Sequence, residues 1–404
     1  MNAAATPEVW TFASHAKEIQ EMLRPADGCR DLPRPALLCL SRSEAASLLG
    51  MSAFETSEAI EQAAARLRTA VSEAVVITSG DTDYADTALA SGWICPSVTA
   101  GQHKRHPDSS TVFAAAAARA LTVGFVAMEA IILATMARAD ALSDPSDGPL
   151  QPRADFAQRC SNLPRFSLPQ ATAISGFAAL SNADLGLYAV VDSAAWVTRV
   201  VAAGVRTVQL RIKGAELPEH RVRVREQIRQ SIRVATEAGA QLFINDHWQI
   251  AIEEGAYGVH LGQEDLHIAD LAAIRQAGLR LGISTHAYWE VCRAWALQPS
   301  YIACGPIHPT KAKAMPWIPQ GNANLAYWCN LLPTPVVAIA GMDLIRAEQA
   351  AQCGADGVAV ISAITAADFP EEAVRQLQQA IERGKNGQRA AAPVLPKPTL
   401  LPAV

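Results

Sequence analysis

The chain of 404 residues lacks several features that would assign it to a specialised class of protein. Charged residues amount to only 18% and sum to a net charge of −5, so no basic surface for a nucleic-acid partner is indicated. The eight cysteines include no CxxC pair and no Cys/His zinc spacing, which is typical of free thiols in a reducing compartment. The first residues lack the basic and apolar regions of a signal peptide, and we therefore expect a cytoplasmic protein.

Long uninterrupted hydrophobic runs are also missing. The most apolar stretch, from Thr111 to Ala139, is rich in alanine and is broken by Arg119 and Glu129. We expect a pair of buried helices there rather than a membrane span. Half of the residues (50%) are hydrophobic, which suits a globular protein with a substantial core.

Composition changes twice along the chain. Residues 143–184 are rich in Pro, Ser, Asp and Gly, which is typical of a linker. Residues 385–404 are rich in Pro and Ala, which predicts a disordered tail. These changes delimit an N-terminal domain of residues 1–142 and a C-terminal domain of residues 185–384. The sequence leaves the oligomeric state open, with a homo-oligomer as one possibility.

The C-terminal domain alternates short β-branched runs with longer segments of helical periodicity. Eight runs are strand candidates: LYAVV, TVQLRI, QLFIN, GVHL, RLGIS, YIACG, PVVAIAG and GVAVIS. This alternation predicts an α/β fold of the (β/α)8 TIM-barrel type. A doubly wound sheet is the alternative, but it would normally carry a glycine-rich turn after its first strand, and LYAVVDS has none.

Charged residues follow several of these strands. Asp246 and Asp265 follow the third and fourth strands, and the cations of the second and sixth are Arg211, Lys213 and Lys313. Because active sites of such barrels form at the carboxyl ends of the strands, we expect all five side chains in one mouth. Two adjacent carboxylates predict a hard divalent cation, Mg²⁺, and three cations beside it predict a diphosphate ligand.

The last two strands indicate a second phosphate site. In barrels of this type, the loops after strands seven and eight bind phosphate through backbone N–H groups. Gly341 would let the backbone approach a phosphate closely, and Ser362 offers a hydroxyl and an amide. The histidines of this domain match no zinc-ligand spacing, so a zinc site is not predicted.

Seven stretches resemble the thiamine-phosphate synthase family, in the family's order across residues 185–384: GVRTVQLRIK, LFINDHWQIAI, GVHLGQED, LGISTH, GPIHPTKAKAMPWIPQG, AIAGM and AVISAI. That family joins a pyrimidine methyl diphosphate to a thiazole phosphate and releases pyrophosphate. The resemblance therefore implies a Mg²⁺-dependent transferase acting on small-molecule substrates. It covers about half of the chain and is specific, because the motifs keep their order.

The resemblance also implies a role for each matching residue. Asp246 and Asp265 would bind Mg²⁺, and Ser284 and Lys313 would be the catalytic residues. The residues implied to bind the pyrimidine diphosphate are Gln209, Arg211, Lys213, Asn245, Ser284 and Lys313. Those implied to bind the thiazole phosphate are Thr310, Lys311, Ala312, Gly341, Ile361 and Ser362.

The chain departs from the family pattern in two places. The family usually has Thr-x-Thr-Lys where residues 310–313 read TKAK, so Ala312 supplies no second hydroxyl. We expect weaker binding of the thiazole phosphate unless Lys311 compensates. The family's Ile-Gly-Gly reads IAG at residues 339–341, which keeps the second glycine.

Two other functions compete with this interpretation. Thiazole tautomerases, a related branch of the fold, bind the same product without Mg²⁺ or a diphosphate, and the presence of Asp246, Asp265 and Lys313 argues against them. A non-catalytic regulatory barrel would bind thiamine phosphate without turnover, so a turnover assay distinguishes it.

The N-terminal domain resembles, in part, the C-terminal half of hydroxymethylpyrimidine phosphate kinases of the ribokinase type. LLCLSRSEAASLLGM, AVVITSGD and the alanine-rich stretch carry this resemblance. The kinases' Lys-Gly-Gly-His reads TSGD at residues 78–81, and their Gly-x-Gly-Cys reads PDSS at residues 107–110. Without those glycines the backbone cannot cradle a phosphate, so we expect a partial ribokinase-like domain without kinase activity. An unrelated α/β domain is the alternative.

Overall fold

The computed structural model describes residues 7–23, 33–78, 82–96, 106, 108–143, 149–167, 176–213, 218–310 and 316–401. The chain divides into two compact units. One unit comprises Met1–Ala171 and Leu400–Val404, and the other comprises Thr172–Thr399. The two units are described separately below.

The N-terminal unit contains a six-stranded sheet with helices packed against it. Its strands are β1 (Val9–Thr11), β2 (Leu37–Ser41), β3 (Val75–Thr78), β4 (Asp83–Asp86), β5 (Ser91–Cys95) and β6 (Arg165–Phe166). Its helices are α1 (Phe12–Met22), α2 (Arg42–Leu48), α3 (Ser57–Ala70), α4 (Ser109–Thr122) and α5 (Ala127–Ser143). The strands lie in sequence order, β1 to β3 parallel and β3 to β6 antiparallel. The prediction of a smaller α/β domain before the barrel is therefore confirmed.

The alanine-rich stretch forms two helices, α4 and α5, as its composition predicts. They pack against each other, and α5 is buried over most of its length, including the side chain of Glu129. Alanine side chains favour this arrangement because they keep high helix propensity and let helices approach closely. Among the described residues, none of the helices combines the length and the apolar character that a membrane crossing needs.

Part of the segment expected to be a linker is ordered instead. Residues 149–167 include two short 3-10 turns and β6, and they are fixed by Asp140 of α5, whose side chain is fully buried. Asp140 accepts hydrogen bonds from Arg153 Nη2 at 2.7 Å and from Asn162 Nδ2 at 2.9 Å. Burial alone would raise the pKa of Asp140, but these hydrogen bonds lower it below its ordinary value. A polar composition cannot reveal such pairing with a helix earlier in the chain.

The C-terminal unit alternates strands and helices. Its strands are β7 (Gly186–Val191), β8 (Thr207–Leu210), β9 (Gln241–Asn245), β10 (Gly258–Leu261), β11 (Arg280–Thr285), β12 (Tyr301–Cys304), β13 (Val336–Ala338) and β14 (Gly357–Val360). Its helices are α6 (Ala194–Ala202), α7 (Pro218–Glu237), α8 (Trp248–Glu253), α9 (Leu271–Gln276), α10 (Tyr288–Leu297), α11 (Gly321–Leu331), α12 (Leu344–Gln352), α13 (Ser362–Thr365) and α14 (Pro370–Asn386).

These strands close into a parallel barrel in which each strand pairs with its neighbours in sequence and β14 pairs with β7. The eight strands match the eight predicted runs, so the (β/α)8 prediction is confirmed, and closure excludes the doubly wound sheet. β9 and β10 are adjacent, with Asn245 opposite His260. The loops that follow these two strands therefore begin side by side at one end of the barrel.

Aromatic side chains fill the barrel interior. The ring centroids of Tyr188, Phe243 and Tyr301 lie 5.0 to 5.9 Å apart in tilted and edge-to-face arrangements. Glycines on neighbouring strands make room for two of the rings. A Cβ atom on Gly282 would lie 2.0 Å from Tyr301 Cζ, and one on Gly258 would lie 2.8 Å from Phe243 Cε1.

The C-terminal tail differs from the disordered segment expected from its composition. α14 continues to Asn386, and the chain beyond it hydrogen-bonds to the barrel. Asn324 Oδ1 accepts from the N–H of Lys397 at 2.7 Å, and Asn324 Nδ2 donates to the Lys397 carbonyl at 2.9 Å. The N–H of Ile318 donates to the carbonyl of Thr399 at 3.0 Å. These partners are far apart in sequence, so local composition gives no sign of them.

Candidate active site

Two aspartates lie together at the carboxyl ends of β9 and β10. Asp246 follows β9 in a left-handed backbone conformation, with φ of 62°, which Asp and Asn tolerate better than most residues. Its N–H donates to the carbonyl of His260 at 3.1 Å, which fixes the turn against β10. Asp265 begins a short 3-10 turn, and its Oδ2 accepts a hydrogen bond from the N–H of Gly262 at 2.9 Å. The charge of Asp265 acts on Asp246, so the two carboxyl groups lie near each other in the mouth.

The carboxyl pair is electrostatically strained and open to a ligand. The pKa of Asp246 is raised to about 6, first by its loss of hydration in the mouth and next by the negative charge of Asp265. The positive charge of Arg211 and a hydrogen bond from Asn245 oppose this rise in the pKa of Asp246. Part of the surface of Asp246 remains exposed. A cation that entered the mouth would relieve the repulsion between the carboxylates.

The donor set fits Mg²⁺. This ion commonly binds through one or two carboxylates and completes its octahedral shell with water and substrate phosphates. Within the described ranges, no group of three or more His, Cys, Asp and Glu side chains is placed to hold a metal. The pair of Asp246 and Asp265 is therefore suited to a cation that a phosphate ligand helps to bind, rather than to a closed structural site.

A line of buried polar side chains joins Gln209 to Ser284 through the barrel interior. Gln209 Nε2 donates to the Tyr188 hydroxyl at 3.3 Å, and the hydroxyls of Tyr188 and Tyr301 lie 2.7 Å apart. The Tyr301 hydroxyl lies 2.7 Å from His260 Nδ1, and His260 Nε2 lies 2.8 Å from Ser284 Oγ. Burial is the main cause that lowers the pKa of His260 to about 3, so its ring is neutral.

Ser284, on β11, is also held through its backbone. Its carbonyl accepts a hydrogen bond from Gln263 Nε2 at 2.8 Å, and Gln263 Oε1 accepts one from Arg293 Nη1 at 3.0 Å. Gln263 lies two residues before Asp265 in the loop after β10. This amide thus ties the loop that carries one aspartate to the strand that carries the serine.

The residues predicted to bind the thiazole phosphate include positions at the ends of β13 and β14. Gly341 follows β13, and Ile361 and Ser362 follow β14 directly. Gly341 has a φ of 71°, and a Cβ atom there would lie 2.7 Å from the Pro309 carbonyl oxygen. The glycine is therefore required for packing against the loop after β12, whatever ligand it contacts. Ala340 also has a positive φ, 74°, at a position where glycine would be unstrained.

The remaining predicted site residues fall into two groups. Lys213 is exposed after the end of β8, and Thr310 is half-buried after β12, so both lie on loops at the same end of the barrel as the aspartates. Lys311, Ala312 and Lys313 lie outside the described residues. Their implied contacts with the two substrates stay predictions.

Sequence reasoning missed the roles of His260, Tyr188 and Tyr301. A zinc-ligand spacing concerns histidines only as metal ligands, and its absence gives no information about a neutral histidine that forms hydrogen bonds. A signal for these residues is nevertheless present, because inward-facing side chains alternate along a barrel strand. His260 and Ser284 take inward positions near the carboxyl ends of adjacent strands, where polar side chains reach the mouth.

The C-terminal unit is thus a (β/α)8-barrel protein with its polar and charged groups on the loops that follow the strands. Sequence comparison identifies the family. Residues 187–364 match the family model of thiamine monophosphate synthase. The thiamine-phosphate synthase of Serratia proteamaculans (strain 568) is 52% identical over 199 residues, which are 49% of this chain and 92% of that protein. The chain belongs to the thiamine-phosphate synthase family.

Further relatives show the same coverage. The thiamine-phosphate synthase of Yersinia pestis (strain Pestoides F) is 52% identical over 203 residues, or 49% of this chain and 91% of that protein. The solved structure of thiamine phosphate pyrophosphorylase from Pyrococcus furiosus aligns with 28% identity and a TM-score of 0.44, over 50% of this chain and 97% of that chain. The family model does not extend into the N-terminal unit, whose resemblance to a kinase stays a prediction.

Proposed function

We propose that the barrel joins 4-amino-2-methyl-5-(diphosphomethyl)pyrimidine to a thiazole phosphate in a Mg²⁺-dependent reaction that yields thiamine phosphate and pyrophosphate. Family membership supports the overall reaction. The observation that supports the metal and the diphosphate is the placement of Asp246 and Asp265 after the adjacent strands β9 and β10, where each acts on a site that Arg211 also influences. Two carboxylates with a cation next to them suit a metal-bound diphosphate better than a neutral ligand.

The diphosphate would occupy the mouth between the loops after β8, β9 and β10. Bound Mg²⁺ would supply charge neutralisation at the diphosphate oxygens. Arg211 would donate charge-assisted hydrogen bonds to the same group. Lys213 and Lys313 would add positive charge from the loops after β8 and β12. Together these groups would make the diphosphate a better leaving group.

The reaction then needs little covalent chemistry from the protein. The bond between the methylene carbon and the diphosphate oxygen breaks, and the electron pair leaves with the diphosphate. The thiazole nitrogen donates its lone pair to the methylene carbon, and the new C–N bond completes thiamine phosphate. The chain's tasks are to orient the substrates and to stabilise the charge that develops on the diphosphate. Ser284 would lie at the reacting end, while Thr310, Gly341 and Ser362 would hold the thiazole phosphate.

A turnover assay tests the metal and the aspartate pair. The full-length chain is incubated with both substrates and Mg²⁺, and thiamine phosphate and pyrophosphate are measured separately. Asp265→Asn should lower kcat at least about 100-fold, and adding Asp246→Asn should cost little more, because the two residues act as one unit. Asp270→Asn is the matched control, since Asp270 caps α9 through the N–H of Ala273 and asparagine caps equally well.

Three outcomes of this assay would count against the proposal. Full turnover in the presence of EDTA would remove the metal from the mechanism. Additive losses in the double variant would show that Asp246 and Asp265 do not share one ion. Binding of thiamine phosphate without turnover would favour the non-catalytic regulatory barrel.

Lys313→Ala tests the assignment of the diphosphate side of the site. We expect kcat to fall while the KM for the thiazole phosphate stays nearly unchanged, because the lysine would act on the leaving group. Lys385→Ala serves as the control, since Lys385 pairs with Asp184. Normal kcat with a raised KM for the thiazole phosphate would move Lys313 to the other substrate.

A further inference from the structure

We propose that His260 is a positioning residue that donates its Nε2–H to Ser284 Oγ and so directs the serine hydrogen towards the pyrimidine diphosphate. This proposal rests on the proposed function, which places Ser284 at the reacting end of that substrate. The observation that carries it is the continuous line of hydrogen bonds through Gln209, Tyr188, Tyr301, His260 and Ser284. The two ends of the line are both predicted to contact the same substrate.

The direction of the hydrogen bonds follows from the amide of Gln209. Gln209 Nε2 can only donate, so the Tyr188 oxygen accepts from it. Among the described residues, the Tyr301 oxygen, 2.7 Å away, is then the acceptor for the Tyr188 hydrogen. The Tyr301 hydrogen in turn goes to His260 Nδ1, which must be the unprotonated nitrogen of a neutral ring. The remaining nitrogen, Nε2, carries the hydrogen and donates to Ser284 Oγ.

The reverse direction leaves one hydrogen without an acceptor. If Ser284 donated to His260, then His260 would donate to Tyr301 and Tyr301 to Tyr188. The Tyr188 hydroxyl would then face the Gln209 amide nitrogen, which cannot accept. Burial of a hydroxyl without an acceptor is unfavourable, so the forward direction is favoured.

The barrel is built to keep this line dry and fixed. Tyr188, Tyr301 and His260 are 1%, 0% and 7% exposed, so water cannot readily replace their partners. Each of the five polar side chains comes from a different strand, β7, β8, β10, β11 or β12. The absence of a side chain at Gly282 makes the space that the Tyr301 hydroxyl occupies, since a Cβ atom there would lie 2.3 Å from that oxygen. The tautomer of His260 is thereby set by residues deep in the barrel.

This arrangement has a chemical consequence for the site. A serine oxygen that already accepts a hydrogen bond from His260 presents its own hydrogen to the mouth. Ser284 would therefore act as a donor to a diphosphate oxygen or a pyrimidine nitrogen, and not as an acceptor. A donor beside the bond that breaks would stabilise negative charge as it develops on the leaving group.

The tautomer can be observed in the free protein, independently of any turnover. Nitrogen-15 histidine labelling of the full chain, with two-bond proton–nitrogen correlation, distinguishes a protonated ring nitrogen from an unprotonated one. The chain has nine histidines, and the signals missing from His260→Asn assign the relevant ring. We expect a protonated Nε2 and an unprotonated Nδ1. Tyr301→Phe should convert this single state into a mixture, because Nδ1 loses its donor.

Kinetics of two matched variants test the effect on Ser284. His260→Gln places an amide where Nε2 lies and keeps a donor to Ser284, whereas His260→Asn places its amide near Nδ1 and loses that donor. His260→Asn should lower kcat about tenfold with little change in either KM, as expected for one lost orienting hydrogen bond. His260→Gln should stay within about threefold of wild type, a difference below about 0.7 kcal/mol. His260→Asn combined with Ser284→Ala should be no worse than Ser284→Ala alone.

The outcomes separate this proposal from the proposed function. A protonated Nδ1, or equal losses in the asparagine and glutamine variants, would overturn the positioning role. Additive losses in the double variant would overturn it as well, because His260 would then act independently of Ser284. A wild-type chain without turnover but with the expected tautomer would contradict the proposed function and leave the hydrogen-bond direction standing.

Discussion

Gly282→Ala is a small substitution that should disturb the barrel strongly. The added Cβ atom would lie 2.0 Å from Cζ, 2.3 Å from the hydroxyl oxygen and 2.4 Å from Cε1 of Tyr301. Carbon atoms in contact normally stay about 3.5–4.0 Å apart, so the ring would have to move by about 1.5 Å. Tyr301 is fully buried, packs edge to face on Phe243 and is hydrogen-bonded to Tyr188.

The expected loss of stability combines two effects. Overpacking of a core usually costs about 1–3 kcal/mol, and this contact belongs at the upper end of that range. A shift of the Tyr301 ring would also break one of its two hydrogen bonds, to Tyr188 or to His260, at about 1 kcal/mol. A total of about 4 kcal/mol corresponds to a fall of about 8–16 °C in the Tm of a unit of this size.

Thermal unfolding followed by circular dichroism and calorimetry measures this loss in the full chain. Gly387→Ala is the matched control, because Gly387 has an ordinary φ of −79° and its nearest contacts are 3.2 Å or longer. Gly282→Ala combined with Tyr301→Leu should recover part of the Tm, since leucine vacates the space. A Tm within about 2 °C of wild type for Gly282→Ala would show that the Tyr301 ring is not held as described.

Three further predictions concern the metal, the backbone and the N-terminal unit. The pKa of Asp246 is raised to about 6, so below about pH 6 protons compete with Mg²⁺ for its carboxylate. Mg²⁺ should therefore raise the Tm at about pH 8 and hardly change it at about pH 5. A thermal-shift titration with Mg²⁺ at both pH values measures this. Ala340→Gly should raise stability by up to about 1 kcal/mol, because a left-handed residue with a side chain is strained, and an unchanged or lower Tm would contradict this reason. The full chain should not phosphorylate hydroxymethylpyrimidine phosphate with ATP, since Pro107 removes a backbone N–H and the glycines of the kinases are missing. Chromatographic detection of the diphosphate product would refute that expectation.

The barrel could be predicted because the sequence patterns that specify its strands and helices are local. Strands such as LYAVV and YIAC are continuous apolar runs, as expected for strands buried on both faces, and turns separate them from amphipathic helices. The alternation repeats across the domain and leaves few topologies open. The ordered segment around Arg153 could not be predicted in the same way, because its order depends on Asp140, a buried charge on an earlier helix.

The site was predictable where it depends on strand order and unpredictable where it depends on side-chain packing. Asp246 and Asp265 follow consecutive strands, and consecutive parallel strands of a barrel are neighbours, so the sequence predicted that they would lie in one mouth. The bond between Tyr188 and Tyr301 joins residues 113 positions apart, across the barrel interior. No periodicity encodes a contact of that kind, because it depends on the size of Gly282 on a third strand.

The hydrogen bonds between the C-terminal tail and the barrel constrain the design of chimaeras that combine this barrel with segments of its relatives. An alignment with the family model ends at residue 364, and the last helix ends at Asn386. A recombination boundary at either point would remove Lys397, whose backbone satisfies both polar atoms of the Asn324 amide. Asn324 is 0% exposed, so its amide would become a buried group without partners, at a cost of about 1–3 kcal/mol. Chimaeras that retain residues up to Thr399 avoid this defect, and those cut at the family boundary need an apolar replacement at position 324.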